Sequence, residues 1–137
     1  MARAFVDTNV LIYAADHREA VKQAQADRLL ARLAENDEIV VSAQVLAEYA
    51  AVALRKLRED PAAVAQQLDA FATLEVVPVT ARLVRHAVTL AARYEVSYWD
   101  AAILAAAETA GCGVIFSEDL NSTQLYAGVR VINPFAG

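Results

Sequence analysis

Residues 4–11 read AFVDTNVL, and this stretch decides how the fold begins. Residues 4–6 form a short apolar run typical of a buried strand. The polar residues 7–9 have the small hydrogen-bonding side chains that cap helices, and they predict a helix beginning near Val10. An acidic side chain, that of Asp7, is therefore predicted at a turn from a strand into a helix.

The rest of the chain repeats this alternation of apolar runs and segments of helical periodicity. We predict further strands at residues 39–41, 76–79, 114–116 and 129–132, and further helices at residues 17–35, 43–57, 61–73, 81–94 and 97–111. Pro78 places the third strand at an edge of the sheet or ends it there. The order predicts one α/β domain over residues 1–137, with three α/β/α layers, a mostly parallel sheet of about five strands and roughly six helices.

The composition limits the class of protein. The chain has 137 residues, of which 58% are hydrophobic, but 31 are alanines, which favour helices and close packing. No apolar stretch approaches the roughly 20 residues that a membrane span needs, so we expect a soluble, cytoplasmic protein. The single cysteine, Cys112, excludes an internal disulfide and a thiolate metal cluster.

The formal net charge of −5 argues against a protein that binds nucleic acid through a broadly basic surface. Several acids, however, fall at positions that suit a shared site. Asp7 follows the first predicted strand, and Glu118 and Asp119 follow the fourth. Glu48 and Asp100 lie in the early turns of helices. Because ligands of open α/β sheets bind beyond the carboxyl ends of the strands, we expect these acids at one edge.

Clustered carboxylates need either a shared proton or a cation between them. Hard divalent cations such as Mg²⁺ and Mn²⁺ prefer oxygen ligands and are commonly held by only one or two direct carboxylates. A cation of this kind can activate water for attack on a phosphodiester, alone or as one of a pair. The acids therefore predict a metal-dependent hydrolase.

Four segments, at residues 6–11, 42–48, 98–101 and 116–120, together resemble the four motifs of PIN-domain nucleases, specifically VapC-type toxins. The resemblance covers nearly the whole chain. It implies a PIN-like fold and endoribonuclease activity on structured RNA such as tRNA or rRNA, or on mRNA. It also implies Mg²⁺ as cofactor, with Mn²⁺ as a substitute, a cognate VapB-like antitoxin and a homodimer.

The resemblance also implies roles for the five acids. Asp7 and Asp100 match the family's direct Mg²⁺ ligands, and Glu48 matches its middle glutamate. The fourth acid matches Asp119 best, with Glu118 as the fallback. Glu48 and Asp119 would support the first metal or bind a second one.

Three polar neighbours, Thr8, Asn9 and Ser117, are candidates to orient the metal ligands through hydrogen bonds, and plain capping is the alternative role. The alternative role for Asp7 is to cap the first helix. Because Thr8 and Asn9 can also cap that helix, capping does not explain why an acid stands at position 7. For Asp100, a capping-box role with Ser97 competes with the functional one.

Three basic residues, Arg55, Lys56 and Arg58, end the helix that carries Glu48. They could contact RNA phosphates, or simply stabilise the carboxyl end of the helix. Tyr98 and Trp99 could stack on a base or pack in a core or dimer interface.

Three other kinds of protein are alternatives for this pattern. A phosphatase of the haloacid dehalogenase type also begins with an aspartate after the first strand, but it needs a second acid where Asn9 stands. A receiver domain would likewise need paired acids there. A catalytically silent metal- or RNA-binding module is the non-enzymatic alternative, against which the retained acids argue.

Overall fold

The computed structural model describes residues 2–122 and 124–136. Within these residues the chain forms six strands and six helices, in the order β1 (Arg3–Val6), α1 (Thr8–Ala15), α2 (Ala20–Asn36), β2 (Glu38–Ser42), α3 (Ala43–Arg55), α4 (Pro61–Phe71), β3 (Glu75–Val77), α5 (Ala81–Tyr94), α6 (Tyr98–Thr109), β4 (Val114–Phe116), β5 (Leu125–Tyr126) and β6 (Val129–Ile132).

The strands form one sheet in the order β3-β2-β1-β4-β6-β5. All neighbouring pairs are parallel except β5 and β6, so the predicted mostly parallel α/β sheet is confirmed. β5 was not predicted. It has only two residues, and its hairpin turn uses Ala127 and Gly128, both at positive φ. Such a turn normally carries asparagine or aspartate before the glycine, so Ala127 gave no hairpin signal.

The chain path explains the layers. From β1 it moves outward to β2 and β3, then returns past β1 to β4. Because parallel crossovers are right-handed, the helices α1 to α4 cover one face and α5 and α6 cover the other. The predicted α/β/α arrangement is thereby confirmed. The direction of travel reverses between β1 and β4, and such a reversal is where open sheets bind ligands.

Several element ends differ from the predicted ones. The first helix begins at Thr8, two residues early, because Asp7 is its N-cap and accepts a hydrogen bond from the Thr8 amide. The prediction that Thr8 and Asn9 would cap it was wrong. The second helix begins at Ala20, not His17, after a turn in which Arg18 pairs with Asp16. β3 is an edge strand and ends immediately before Pro78, as the proline indicated.

The helix α6 is buried between the sheet and α5. All seven residues from 101 to 107 are at most 5% exposed, and five of them are alanines. Small side chains let a helix pack closely on two sides, which accounts for part of the chain's high alanine content. Of the helices in residues 2–122 and 124–136, none has the length and apolar character to cross a membrane.

Candidate active site

The carboxyl ends of β1 and β4 bring two polar residues together. Val6 pairs with Phe116 in register, and the Asp7 amide donates to the Phe116 carbonyl at 3.0 Å. The next side chains, of Asp7 and Ser117, therefore lie opposite each other. The Ser117 hydroxyl donates to Asp7 Oδ2 at 2.7 Å, and both residues are buried.

The Asp7 carboxylate is held in an environment that disfavours its charge. Its other oxygen, Oδ1, accepts from the Thr8 amide at 2.7 Å. Burial raises the pKa of Asp7 to about 6, although the hydrogen bonds from Ser117 and Thr8 work against the rise. The carboxylates of Asp119 and Glu48 add repulsion. A cation at this position would relieve both effects.

Asn9 ties α1 to the turn that follows β4. Its Nδ2 donates to Ser117 Oγ at 3.3 Å and to Asp119 Oδ2 at 3.1 Å, and its Oδ1 accepts from the Glu118 amide at 3.1 Å. The Ser117 hydroxyl also accepts from the Asp119 amide at 3.1 Å. The side-chain amide of Asn9 therefore fixes the position of Asp119 relative to Asp7.

Glu48 joins the same group from α3. Thr8 Oγ1 donates to Glu48 Oε1 at 2.9 Å, linking the first turn of α1 to the second turn of α3. Thr8 thus orients an acid through a hydrogen bond, as one of its two predicted roles requires. Its hydroxyl does not cap a helix, because Asp7 is the N-cap of α1.

The two acids after β4 have different partners. Lys22 Nζ donates to Glu118 Oε1 at 2.6 Å and to the Tyr13 hydroxyl at 3.1 Å. Partial burial works to raise the pKa of Glu118, but the hydrogen bonds from Lys22 and Tyr13 outweigh it and hold that pKa below its ordinary value. Among the described residues, Asp119 forms no ion pair with a lysine, and it interacts with Asn9 and Asp7. The choice of Asp119 over the fallback Glu118 as the fourth site acid stays a prediction.

Asp100 lies half-buried in the first turn of α6. Its amide donates to Ser97 Oγ at 3.1 Å, which is one half of a capping box. Among the described residues no hydrogen bond reaches the Asp100 carboxylate, so the other half is not formed, and no hydrogen bond joins Asp100 to the network of Asp7, Glu48 and Asp119. Gln44 Nε2 donates to the Trp99 carbonyl at 3.2 Å, which fixes this helix end to the start of α3. The ligand role of Asp100 stays a prediction.

A cleft of about 320 Å³ opens beside Glu48, Glu118 and Asp119, whereas Asp7 and Asp100 are not among its wall residues. Its walls include Thr8, Asn9, Glu48, Glu118 and Asp119. Of the predicted basic residues only Lys56 lines it.

Asp16, which the sequence interpretation missed, also lines this cleft. It is 6% exposed and paired with Arg18, which holds the pKa of its carboxyl below the ordinary value. In the sequence, the only sign of this ion pair is that Arg18 follows Asp16 by two residues.

The donor set suits a hard divalent cation. The titratable groups of the cleft are carboxylates, a phenol and a lysine. Zinc sites typically include histidine nitrogen or cysteine sulfur as ligands, whereas Mg²⁺ prefers oxygen. Within residues 2–122 and 124–136, no three histidine, cysteine, aspartate or glutamate side chains form a ready-made metal cage. An ion held by one or two carboxylates and otherwise by water fits this arrangement, as is usual for Mg²⁺.

Solved structures share this fold. A toxin–antitoxin complex from Klebsiella pneumoniae matches with a TM-score of 0.71 at 20% identity, covering 96% of this chain and 98% of that one. VapC20 of Mycobacterium tuberculosis, described as a Sarcin-Ricin loop cleaving toxin, matches with a TM-score of 0.69 at 23% identity, covering 93% and 98%. VapBC2 of Rickettsia felis, bound to a DNA fragment from its promoter, matches with a TM-score of 0.67 at 18% identity, covering 94% and 96%.

These identities establish the likeness of fold alone. No sequence match was found among curated proteins. The family comparison is decisive, because it covers both β1, with Asp7, and the turn after β4, with Asp119. With residues 4–127 matching it, the chain belongs to the PIN domain family.

Proposed function

We propose that this protein is a Mg²⁺-dependent endoribonuclease, with Mn²⁺ as a substitute metal. The observation that carries the proposal is the buried carboxylate of Asp7, with two further acids beside it at the switch point of the sheet. A bound divalent cation supplies an activated water and neutralises charge on the leaving oxygen. No covalent intermediate with the protein is needed.

The chain's own residues have distinct tasks in this proposal. Asp7 and Asp100 hold the metal directly, and Glu48 and Asp119 support it or hold a second ion. Thr8, Asn9 and Ser117 fix the orientation of these acids, since their hydrogen bonds join Glu48, Asp119 and Asp7 to α1 and β4. The burial of Asp7 keeps bulk water from competing for its carboxylate.

The proposed substrate and partners are supported by analogy with the matched structures. VapC20 cleaves the Sarcin-Ricin loop, and other matching structures are toxin–antitoxin complexes. We infer that this protein is the toxin of such a pair, acts on structured RNA or on mRNA, and is inhibited by a VapB-like antitoxin. We also infer a homodimer, for which the exposed Trp99 (64%) and Val79 (53%) offer apolar surface beside one cleft.

The phosphatase alternative is disfavoured by Asn9. A phosphatase of that type needs a second acid where Asn9 stands. Here both groups of the Asn9 side-chain amide bind the turn after β4, so this position serves the structure of the turn. Of the two lysines, Lys22 is paired with Glu118, which leaves Lys56 in the cleft.

The test is RNA cleavage by the purified protein with Mg²⁺, with chelator, and with the variants Asp7→Asn and Asp100→Asn. We expect cleavage to stop in chelator and to fall more than about 100-fold in each variant, because losing only a residue that orients a metal ligand costs about 10–100-fold. Asp69→Asn, an exposed change on α4, is the matched control and should cleave normally.

Undiminished cleavage in Asp7→Asn or in chelator would contradict the proposal. Metal binding without cleavage of any RNA would favour the silent binding module, and calorimetric titration with Mg²⁺ measures that binding directly.

A further inference from the structure

A second cleft, of about 480 Å³, adjoins the acidic one. It lies between the loop after α1 and the loop after α3. Asp16 and Lys56 line both clefts, so the two are adjacent on the surface. The second cleft differs in charge, because Arg18 and Arg58 join Lys56 in its walls, against the acids Asp16 and Glu59.

Arg18 is held in place by a buried acid. Arg18 Nε donates to Asp16 Oδ1 at 2.9 Å and Arg18 Nη2 to Asp16 Oδ2 at 3.0 Å, which is a two-point contact. The Arg18 amide also donates to Asp16 Oδ1, at 3.0 Å. The arginine nevertheless keeps 61% of its side-chain surface exposed. A guanidinium has five N–H donors, so three remain for another ligand.

Arg58 occupies a backbone conformation that arginine rarely adopts. Its φ is 54°, in the left-handed region, where the chain leaves α3. The Glu59 amide then donates to the Ala53 carbonyl at 3.0 Å, closing the helix end. Glycine or asparagine is usual at such a position. Retaining an exposed arginine here costs stability, and strain of this kind concentrates at binding sites.

We propose that Arg18, Lys56 and Arg58 bind phosphates of the RNA strand beside the one that is cleaved. The proposal rests on the proposed nuclease function and adds a site for the strand. A chain with a net charge of −5 needs such a local concentration of cations to attract RNA. Arginine's fork of donors matches phosphate oxygens. Arg55, although equally basic and adjacent in sequence to Lys56, lines neither cleft.

The experiment measures binding of a short fluorescent single-stranded RNA by anisotropy, in chelator, over a range of salt concentrations. The variants are Arg58→Asn, which suits the left-handed backbone, and Arg18→Gln. The matched control is Arg55→Gln. Each cleft variant should bind about tenfold more weakly near 50 mM salt, with a salt slope lower by about one, as expected for one lost phosphate contact. The control should bind like the wild type.

Asp16 acts as a positioning residue in this site, and a double-mutant cycle tests that role. Asp16→Asn should weaken RNA binding, whereas combining it with Arg18→Gln should be no worse than Arg18→Gln alone. A merely structural role would instead give additive losses, and thermal unfolding identifies any variant that fails to fold.

Two results would overturn the site. In the first, Arg55→Gln weakens RNA binding as much as Arg58→Asn does, which would mean that RNA is attracted by the overall charge and not by this cleft. In the second, Arg58→Asn and Arg18→Gln leave the affinity and the salt slope unchanged. Cleavage in Mg²⁺ is scored separately. A protein that binds RNA through these arginines but never cuts it would contradict the nuclease proposal and leave this site intact.

Discussion

The Asp7 carboxylate is buried, and it accepts hydrogen bonds from two uncharged donors, the Ser117 hydroxyl and the Thr8 amide. These bonds offset only part of the desolvation, which is why its pKa rises to about 6. The charges of Asp119 and Glu48, which act on it as well, are of the same sign. A bound cation would offset both the desolvation and this repulsion.

The pH dependence of stability tests this strain. Below about pH 4 Asp7 is protonated in both the folded and the unfolded chain, so it has no effect. Between pH 4 and 6, Asp7 is still protonated in the folded chain but ionised in the unfolded chain. The free energy of unfolding therefore falls as pH rises, by about 3 kcal/mol in all. In chelator, the advantage of Asp7→Asn over wild type in urea unfolding should therefore grow from pH 4 to pH 7. A constant difference across this range would refute the burial effect.

Glu118 and Asp119 are adjacent but should respond differently to removal of charge. Glu118 is already neutralised by Lys22, whereas Asp119 is held toward Asp7 by Asn9. We expect Asp119→Asn to reduce RNA cleavage by about 10–100-fold and Glu118→Gln to change it by less than about threefold. Steady-state cleavage rates at saturating Mg²⁺ measure this. A reversed order of the two effects would make Glu118 the site acid.

At the scale of elements, three acids are brought together by contacts between the start of α1, α3 and the turn after β4. Asp7 is the N-cap of α1, and side chains of residues 7–9 join it to Glu48 on α3 and to Asp119 in the turn. Asp100 lies in the first turn of α6, whose alanines fill the space between the sheet and α5. Packing of α6 therefore sets where Asp100 lies.

Enlarging a side chain within α6 should disturb this packing. Ala105 is fully buried, so Ala105→Leu should lower the free energy of unfolding by about 1–3 kcal/mol through overpacking. The same change at Ala92, which is exposed on α5, should have little effect. Chemical denaturation of both variants supplies the comparison. If both variants were equally stable, the packing around Ala105 would have to accommodate a leucine, contrary to its complete burial.

At the scale of the whole molecule, the reversal of strand order between β1 and β4 creates one place where acids from distant parts of the chain meet. Like-charged groups gathered there repel one another and oppose folding. A divalent cation bound only by the folded chain, as we propose, would reverse this cost and would couple metal binding to global stability.

Metal should therefore raise the melting temperature. At a Mg²⁺ concentration about 100 times its Kd, the folded chain gains about 2.7 kcal/mol. For a domain of this size that corresponds to roughly 8 °C. Scanning calorimetry with and without Mg²⁺ measures the shift, and Asp7→Asn should lose most of it. A similar shift in wild type and Asp7→Asn would place the metal elsewhere.

The sequence by itself determined the α/β class, the parallel strands and the position of Asp7 after β1, because hydrophobic periodicity and capping residues are local signals. It also indicated Asp119 and Glu48. It could not give β5, whose hairpin turn carries Ala127 instead of a usual turn residue.

Only the tertiary structure shows that Glu118 and Asp119 have different partners, because Glu118 pairs with Lys22, 96 residues away along the chain. The place of Asp16 between two clefts also depends on the tertiary structure, because its burial requires the packing of α1 against α3. Charge pairing across the fold has no sequence signature, because it arises only when strand order brings distant side chains together.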